Sequence, residues 1–320
     1  MRSRTLITAV IFVLVGSGIY YAYIKIRRAL TYADSSVTIA PSDEKANMEI
    51  SGFRLEETDG PDSVWTLKAK KAEMFKNSKR IIFTDVETQV NGDLRAKNTY
   101  NITSDQGAYF MDEDKIILEK NVTINTSQGY KIFTDRLDYS VKTKQIRSID
   151  PVNIFGKTPG GQLLSIEGVG IDGSLGSGDF KITKKITTKF GPNLEISSKE
   201  AEFNTNRSSV VFRHDIEAKK DGLDIKGEML KLGYTPKGDL QDIEVTGGVK
   251  IRAGQEKYAL CEKALIRGSS SEVILTGKPE FHADGDIIVG QKIVFFTDSD
   301  EVYVEKVKAE VSEKTVRKKK

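Results

Sequence analysis

A six-residue pattern that recurs through the chain constrains its fold more than any other feature. The pattern is small, polar, polar, apolar, any residue and large apolar, as in Ser104-Asp105-Gln106-Gly107-Ala108-Tyr109 and Thr134-Asp135-Arg136-Leu137-Asp138-Tyr139. The copies begin 29 to 35 residues apart, at Ala69, Ser104, Thr134, Ile166, Ser198, Gly227, Cys261 and Gly290. A unit of this length cannot bury its apolar face alone, so neighbouring units must stack.

Short runs that alternate apolar and polar residues accompany the copies, as in Val122-Thr123-Ile124 and Ile243-Glu244-Val245. Such alternation is typical of a β-strand with one buried face. Turn signals, including Asn91-Gly92 and Asp221-Gly222, separate the runs. The sequence therefore predicts an all-β body of stacked antiparallel hairpins.

Two segments have a helical alternative. Residues 64–77 and 255–267 are rich in Lys, Glu, Ala and Leu, and each taken singly fits an amphipathic helix. Both contain a copy of the repeat in register with copies that have no helical character, so we predict strands. Glycines cluster within residues 159–178, which we interpret as a joint between two halves of the body.

The N-terminal residues predict a membrane anchor. Residues 5–24 contain no charged side chain, and twenty helical residues span about 30 Å, the thickness of the hydrocarbon core of a bilayer. Tyrosines and then Lys25, Arg27 and Arg28 follow, as at a membrane interface. A cleaved signal peptide is the alternative, although bulky and basic residues stand where its cleavage site would be. The basic residues nearly balance across the segment, so charge alone does not fix its orientation.

The formal net charge of +3 conceals an uneven distribution. Five basic and no acidic side chains lie in residues 1–28, and residues 313–320 carry +4, which leaves −6 for the residues between them. An acidic body excludes nucleic acid as a partner. Cys261 is the single cysteine, and His214 and His282 are the only histidines, which excludes a disulfide framework and a Cys/His zinc site. We predict no cofactor.

Catalytic motifs are weak. Gly168-Val169-Gly170-Ile171-Asp172-Gly173 has the spacing of a dinucleotide fingerprint, but that fingerprint must open a helix, and the glycine- and serine-rich residues 174–178 are unsuited to one. A hydrolase would need two carboxylates that converge, whereas residues 112–114, Asp298 and Asp300 fall at expected turns. No serine has the context of a nucleophile. We therefore predict that the protein is not an enzyme.

Taken together, these features resemble the LptC family of lipopolysaccharide-export proteins, followed by a module similar to OstA/LptA. The likeness to LptC rests on the anchor and on residues 46–156, including Trp65-Thr66-Leu67-Lys68-Ala69-Lys70-Lys71-Ala72 and Asn121-Val122-Thr123-Ile124. The chain departs from the family in length, because a typical member has one such module. The predicted organisation is an N-terminal cytoplasmic segment at 1–4, a transmembrane anchor at 5–24, a linker at 25–45, an LptC-like module at 46–156, a Gly-rich joint with continuing strands at 157–192, an OstA/LptA-like module at 193–311 and a basic tail at 312–320.

The resemblance implies an elongated, twisted, antiparallel β-jellyroll that is open to a hydrophobic groove. It also implies a single-pass protein of the inner membrane of a Gram-negative bacterium, with its body in the periplasm. The expected function is to receive lipopolysaccharide from an inner-membrane ABC transporter and to pass it to an LptA-like partner bound by edge-strand augmentation. The aromatic content of 8% is low enough to suggest an interior that leaves a cleft for acyl chains.

Strand alternation then selects candidate residues for the groove, with ordinary core packing as the alternative for each. They are Trp65, Leu67, Ile82, Val86, Leu118, Val122, Ile124, Ile132, Val152, Ile154, Ile243, Val245, Val249 and Ile251. For the whole protein, the alternative is a membrane-tethered structural β-repeat protein that binds protein partners through open edge strands and carries no lipid. The sequence leaves open whether the two halves share one groove.

Overall fold

The computed structural model describes residue 39 and residues 45–59, 62–92, 98–158, 160–204, 209–235, 237–254, 256–268, 270–283, 285–299, 301–306 and 308–310. The predicted N-terminal segment, the transmembrane anchor, nearly all of the linker and the basic tail lie outside these residues. Within the described ranges, no helix is both long and apolar enough to cross a membrane.

The described residues form twenty-one β-strands in one antiparallel sheet. The strands are β1 (Met48–Asp59), β2 (Asp62–Phe75), β3 (Arg80–Asn91), β4 (Thr99–Phe110), β5 (Lys115–Thr126), β6 (Lys131–Ser140), β7 (Gln145–Lys157), β8 (Leu163–Ser174), β9 (Asp179–Phe190), β10 (Leu194–Ser198), β11 (Glu200–Asn204), β12 (Ser209–Lys220), β13 (Leu223–Tyr234), β14 (Leu240–Ala253), β15 (Lys257–Arg267), β16 (Glu272–Thr276), β17 (Glu280–Ala283), β18 (Asp286–Val289), β19 (Lys292–Phe296), β20 (Val302–Glu305) and β21 (Lys308–Glu310). The all-β prediction is confirmed, and the two segments with a helical alternative are the strands β2 and β15.

The sheet is a meander, because strands that are neighbours in the chain pair with each other. Some strands are split in two. Both β10 and β11 pair with β9 on one side and β12 on the other, and both β16 and β17 pair with β15. Each split pair is therefore one strand that is interrupted near its middle.

The unsplit strands bend at the equivalent point. In β5, Lys120 and Asn121 have φ angles of 64° and 54°, and in β12, His214 and Asp215 have φ angles of 65° and 51°. The pairing register with the next strand shifts at both positions. These are β-bulges, which add residues and bend the strand. Apolar side chains from both halves of the bent strands join one hydrophobic cluster, so the sheet forms two layers around a single core, consistent with a β-jellyroll.

The bends explain the six-residue repeat, whose first position lies at the bend. There the Ser104 hydroxyl donates to the Gln106 carbonyl at 2.9 Å, and the Ser198 hydroxyl donates to the Glu200 carbonyl at 3.1 Å. Two copies have glycine at this position, Gly227 and Gly290, because little space is left there for a side chain. A Cβ atom on Gly227 would lie 2.7 Å from Cγ1 of Val245. A small side chain is required at this position.

One copy of the repeat is placed differently from the sequence alignment. Ile166 faces the core at 1% exposure, whereas the crowded position at the bend of β8 belongs to Gly168, where a Cβ atom would lie 2.6 Å from Cγ2 of Ile182. The register between β8 and β9 shifts at this point. The copy therefore begins at Gly168, and the fingerprint-like glycine run is this copy of the repeat within a strand.

A shared turn closes three of the hairpins. In residues 126–130, 158–162 and 235–239, a threonine hydroxyl accepts a hydrogen bond from the backbone N–H four residues later, at 3.1 to 3.2 Å. The fourth residue of each turn is a glycine, and its φ angle is 80° to 88°. A left-handed glycine after a tight turn is a common way to close a hairpin. The sequence signal is Thr-x-x-Gly.

Candidate functional site

A row of inward-facing side chains crosses the sheet through directly paired positions. Each member is the Cα partner of the next, strand by strand. We call it the isoleucine row, and its members are Leu67, Thr88, Ile102, Ile124, Ile132, Ile154, Ile166, Thr188, Ile196, Ala218, Ile225, Ile251, Ala259 and Phe281. With strands about 4.8 Å apart, the row is about 60 Å long when measured across the sheet.

The other layer contributes inward-facing residues in the same manner. From β8 onward these are Ile171, Ile182, Ala201, Phe212, Leu230, Val245, Ala264, Leu275 and Ile293, again each paired with the next. They belong to the same hydrophobic cluster as the isoleucine row. The interior between the layers is therefore a continuous apolar strip rather than a set of separate cores.

Thirteen of the fourteen predicted groove residues lie in this interior, each at 3% exposure or less. Five belong to the isoleucine row, and the others lie at the bends, in the opposite layer or next to the turns. Whether they contact lipid stays a prediction.

Ile82 is the exception, and its predicted orientation is wrong. It is half-buried, and the residues on either side of it, Ile81 and Phe83, face the core. The prediction assumed that alternation continues to Val86. The bend at Asp85, which has a φ angle of 51°, shifts the alternation by one residue, so Ile82 faces away from the groove.

The two layers come together along the line where their hairpin turns meet. One row of turns follows β1, β3, β5, β7, β9, β12, β14 and β17, and a second row follows β2, β4, β6, β8, β11, β13, β15 and β19. Aromatic side chains bridge the two rows. Tyr100 contacts Phe180 with ring centroids 6.1 Å apart, and Phe190 contacts Tyr234 at 5.4 Å. We call this line the mouth.

Backbone and polar contacts also close the mouth. The Lys144 ammonium donates to the Asn91 carbonyl at 3.5 Å. The turn of residues 158–162 lies against the turn of residues 235–239, where a Cβ atom on Gly160 would be 2.6 Å from Oδ1 of Asp239. The two rows of turns are therefore in contact at the mouth.

The interior is closed to water in this state, contrary to the open cleft expected from the low aromatic content. Most members of the isoleucine row are 0% to 3% exposed. Branched aliphatic side chains from the two layers fill the space, and aromatic side chains lie at the mouth. A ligand that lies between the layers would therefore require them to move apart.

Comparison with known proteins identifies the family to which the chain belongs. Residues 9–191 match the family model described as "Lipopolysaccharide-assembly, LptC-related", which covers more than half of the chain. The chain belongs to the LptC-related family. Residues 195–301 match a second model, described as "LptA/(LptD N-terminal domain) LPS transport protein". Both descriptions name lipopolysaccharide assembly or transport, and the protein is a component of that pathway.

One solved structure with a matching region is that of LptH from Pseudomonas aeruginosa, titled as the LptA homologous periplasmic component of the lipopolysaccharide transport device. It has 14% sequence identity, covers 37% of this chain and 94% of that chain, and gives a TM-score of 0.34. No curated protein matches the sequence.

The LptC-related and LptA-like segments meet in the turn between β9 and β10, and the isoleucine row crosses this turn without interruption. Thr188 of the first segment and Ile196 of the second are direct Cα partners. Ile166 and Ala218 extend the row on either side. The boundary between the two family matches is therefore an ordinary strand pairing inside one sheet.

Few polar atoms lie within the closed interior of this LptC-related protein. The Tyr139 hydroxyl is buried without a partner among the described residues, and burial, assisted by the nearby Glu57 carboxylate, raises its pKa. Burial likewise raises the pKa of Tyr234. Both phenols stay neutral, so the mouth carries no buried charge from these side chains.

The weak catalytic motifs lie on turns and strands of the LptC-related fold. Residues 112–114 are exposed in the turn between β4 and β5, and Gly168 and Gly170 lie in β8. His214 is at the bend of β12, and the ring of His282 stacks on Tyr258 with centroids 4.3 Å apart. Asp300 lies outside the described residues. The two histidines are on different strands and are not brought together.

Sequence reasoning missed the mouth, although the repeat contains a signal for it. The sixth position of the pattern is a large apolar residue, and in the structure it lies next to the second row of turns. Tyr109, Tyr139 and Phe203 occupy this position in three copies. The recurrence of aromatics at one repeat position indicates a line of contact, but only the fold shows what they contact.

Proposed function

We propose that the protein is a membrane-anchored periplasmic conduit for lipopolysaccharide, in which acyl chains lie between the two layers of the sheet. It would receive the lipid from an inner-membrane ABC transporter and deliver it to an LptA-like partner. The continuous isoleucine row carries this proposal. The row gives acyl chains one uninterrupted apolar path through both the LptC-related and the LptA-like segments of a single chain.

Burial of acyl chains supplies the affinity. Each methylene removed from water contributes about 0.8 kcal/mol, so ten buried methylenes contribute about 8 kcal/mol before the cost of opening the mouth. The body carries a net charge of −6 in residues 29–312, which disfavours an anionic headgroup near the protein. We therefore place the headgroup outside the mouth, in water.

Edge strands would join the conduit to its neighbours. Among the described strands, β1 pairs only with β2, and β20 pairs only with β19. Their outer backbone groups can each accept a further strand. In this proposal β1 lies on the side of the membrane anchor and the transporter, and the β20 edge receives the LptA-like partner.

Photo-crosslinking tests the proposal. A crosslinking amino acid at Leu118 or Val249, both 1% exposed, should capture lipopolysaccharide in cells. The same group at Lys120, which is exposed at the bend of β5, should capture none and serves as the matched control. Capture from Lys120 alone would contradict the proposal.

The close packing of the interior supports a second candidate, a structural β-repeat protein with a permanently dry core. Native mass spectrometry of the full-length protein released from membranes separates the two. Co-purified lipid at about one molecule or more per chain supports the conduit, and protein free of lipid supports the structural alternative.

A further inference from the structure

Two members of the isoleucine row, Thr88 and Thr188, carry a hydroxyl group. Thr88 and Thr188 are 1% and 0% exposed, and neither hydroxyl has a hydrogen-bond partner among the described residues. They differ in this from the other buried serine and threonine hydroxyls among the described residues. At the bends, the hydroxyls of Ser104 and Ser198 donate to backbone carbonyls, and those of Thr134 and Ser148 bond to each other. In the turns, the hydroxyls of Thr126 and Thr158 accept a backbone N–H.

Packing alone gives no reason for these two hydroxyls. Valine has the same shape as threonine and an equal preference for strands. It would fill either position without an unpaired polar group, whose burial costs free energy. The neighbours of Thr88 in the row are Leu67 and Ile102, and those of Thr188 are Ile166 and Ile196. All four are aliphatic, so each buried hydroxyl lies in an apolar stretch of the row.

Both threonines lie at the same depth below the mouth. Thr88 is two residues from Val90, and Thr188 is two residues from Phe190, the last residue of β9 before its turn. Two residues of a strand span about 7 Å. If the headgroup of a lipid stays outside the mouth, the first few carbons of its acyl chain reach this depth. These carbons carry the ester or amide carbonyl and any hydroxyl substituent near the carboxyl end.

We propose that Thr88 and Thr188 are two hydrogen-bonding positions in the groove for a carbonyl or hydroxyl oxygen near the carboxyl end of an acyl chain. This inference rests on the proposed function. Six strand spacings separate β3 from β9, about 29 Å, so the two positions serve successive places along the path. A threonine hydroxyl can both donate and accept, so it can pair with either kind of oxygen.

The test uses the full-length protein and two probes, tetradecanoate and 3-hydroxytetradecanoate, each displacing a fluorescent fatty acid. The double variant Thr88→Val/Thr188→Val should bind 3-hydroxytetradecanoate about fivefold to tenfold more weakly than the unaltered protein, as expected for one lost hydrogen bond. The double variant Thr88→Ser/Thr188→Ser keeps the hydroxyls and should retain the affinity. Thr187→Val, on the outer face beside Thr188, is the matched control and should change nothing.

The outcomes separate this inference from the proposed function. If each probe binds the valine variant as tightly as it binds the unaltered protein, the threonines are structural. That result overturns the inference, while the conduit stands. If the unaltered protein binds neither probe, the conduit itself is contradicted. Thermal unfolding should show that the valine variants are at least as stable as the unaltered protein, which excludes misfolding as the cause of weaker binding.

Discussion

A disulfide across the mouth offers a direct test of whether the mouth must open. Gly160 and Asp239 lie on opposing turns, and a Cβ atom on Gly160 would be 3.0 Å from the backbone nitrogen of Asp239. Cβ atoms joined by a disulfide are about 3.8 Å apart, so small shifts of two surface turns suffice. The variant is Gly160→Cys/Asp239→Cys, with Cys261→Ser to remove the native thiol.

The size of the effect on stability follows from the loop that the bond closes. Closing a loop of about 80 residues stabilises the folded state by about 4 kcal/mol in the chain-entropy model. For a body of this size that corresponds to about 10 °C in Tm. Thermal unfolding with and without a reductant measures the difference. A rise in Tm shows that the bond forms in the native state, which is needed before lipid uptake is interpreted.

Lipid uptake is then compared in the same two states. A photo-crosslinker at Ile166, in the isoleucine row on the strand that follows the Gly160 turn, should capture an acyl probe at least tenfold less in the oxidised protein than in the reduced one. The single variants Gly160→Cys and Asp239→Cys should show no response to the reductant. Equal capture in the oxidised and reduced double variant would refute the reasoning that lipid enters through the mouth.

Two further predictions concern the bends. Gly227→Ala should lower the free energy of unfolding by about 1 to 3 kcal/mol, because the added methyl group overpacks against Val245. Gly233→Ala on the same strand is the control, since its Cβ atom would have no neighbour closer than 3.7 Å. It should be neutral or slightly stabilising, and urea unfolding measures both variants. Burial raises the pKa of the Cys261 thiol to about 11, so its alkylation at pH 8 should be about 100-fold slower in the native protein than in urea. The native rate should increase about tenfold per pH unit up to about pH 11, because the thiolate is the reactive form, and mass spectrometry measures it. A native rate within threefold of the unfolded rate would contradict the inward placement of Cys261.

Most of the fold could be predicted from the sequence because its information is local. Alternation and turn residues define each hairpin, and in a meander each strand pairs with its neighbour in the chain, so the order of strands requires no long-range information. The repeat also predicts the correct strands at residues 64–77 and 255–267, where propensity alone favours a helix. Placement of the predicted groove residues in the interior followed from the same alternation.

The errors arose where the alternation slips. At Asp85 the bend with its positive φ angle exchanges the two faces of the strand, so Ile82 was assigned to the wrong side. The copy of the repeat at residue 166 was misplaced for the same reason, since the crowded position is Gly168. The mouth could not be predicted, because its contacts join residues about 40 to 80 positions apart and depend on how far the sheet twists. Thr88 and Thr188 were not singled out, because only burial distinguishes them from threonines on the outer face.

The meander has a consequence for how the chain acquires its structure. Each strand needs only the strand before it, so a hairpin can form as soon as its residues are available, without waiting for a distant partner. Contacts of short sequence separation favour rapid folding, and stacked units can add to an existing edge one at a time. A chain that enters a compartment from its N-terminus can therefore build this sheet in the order in which it arrives, with one growing edge exposed at any moment.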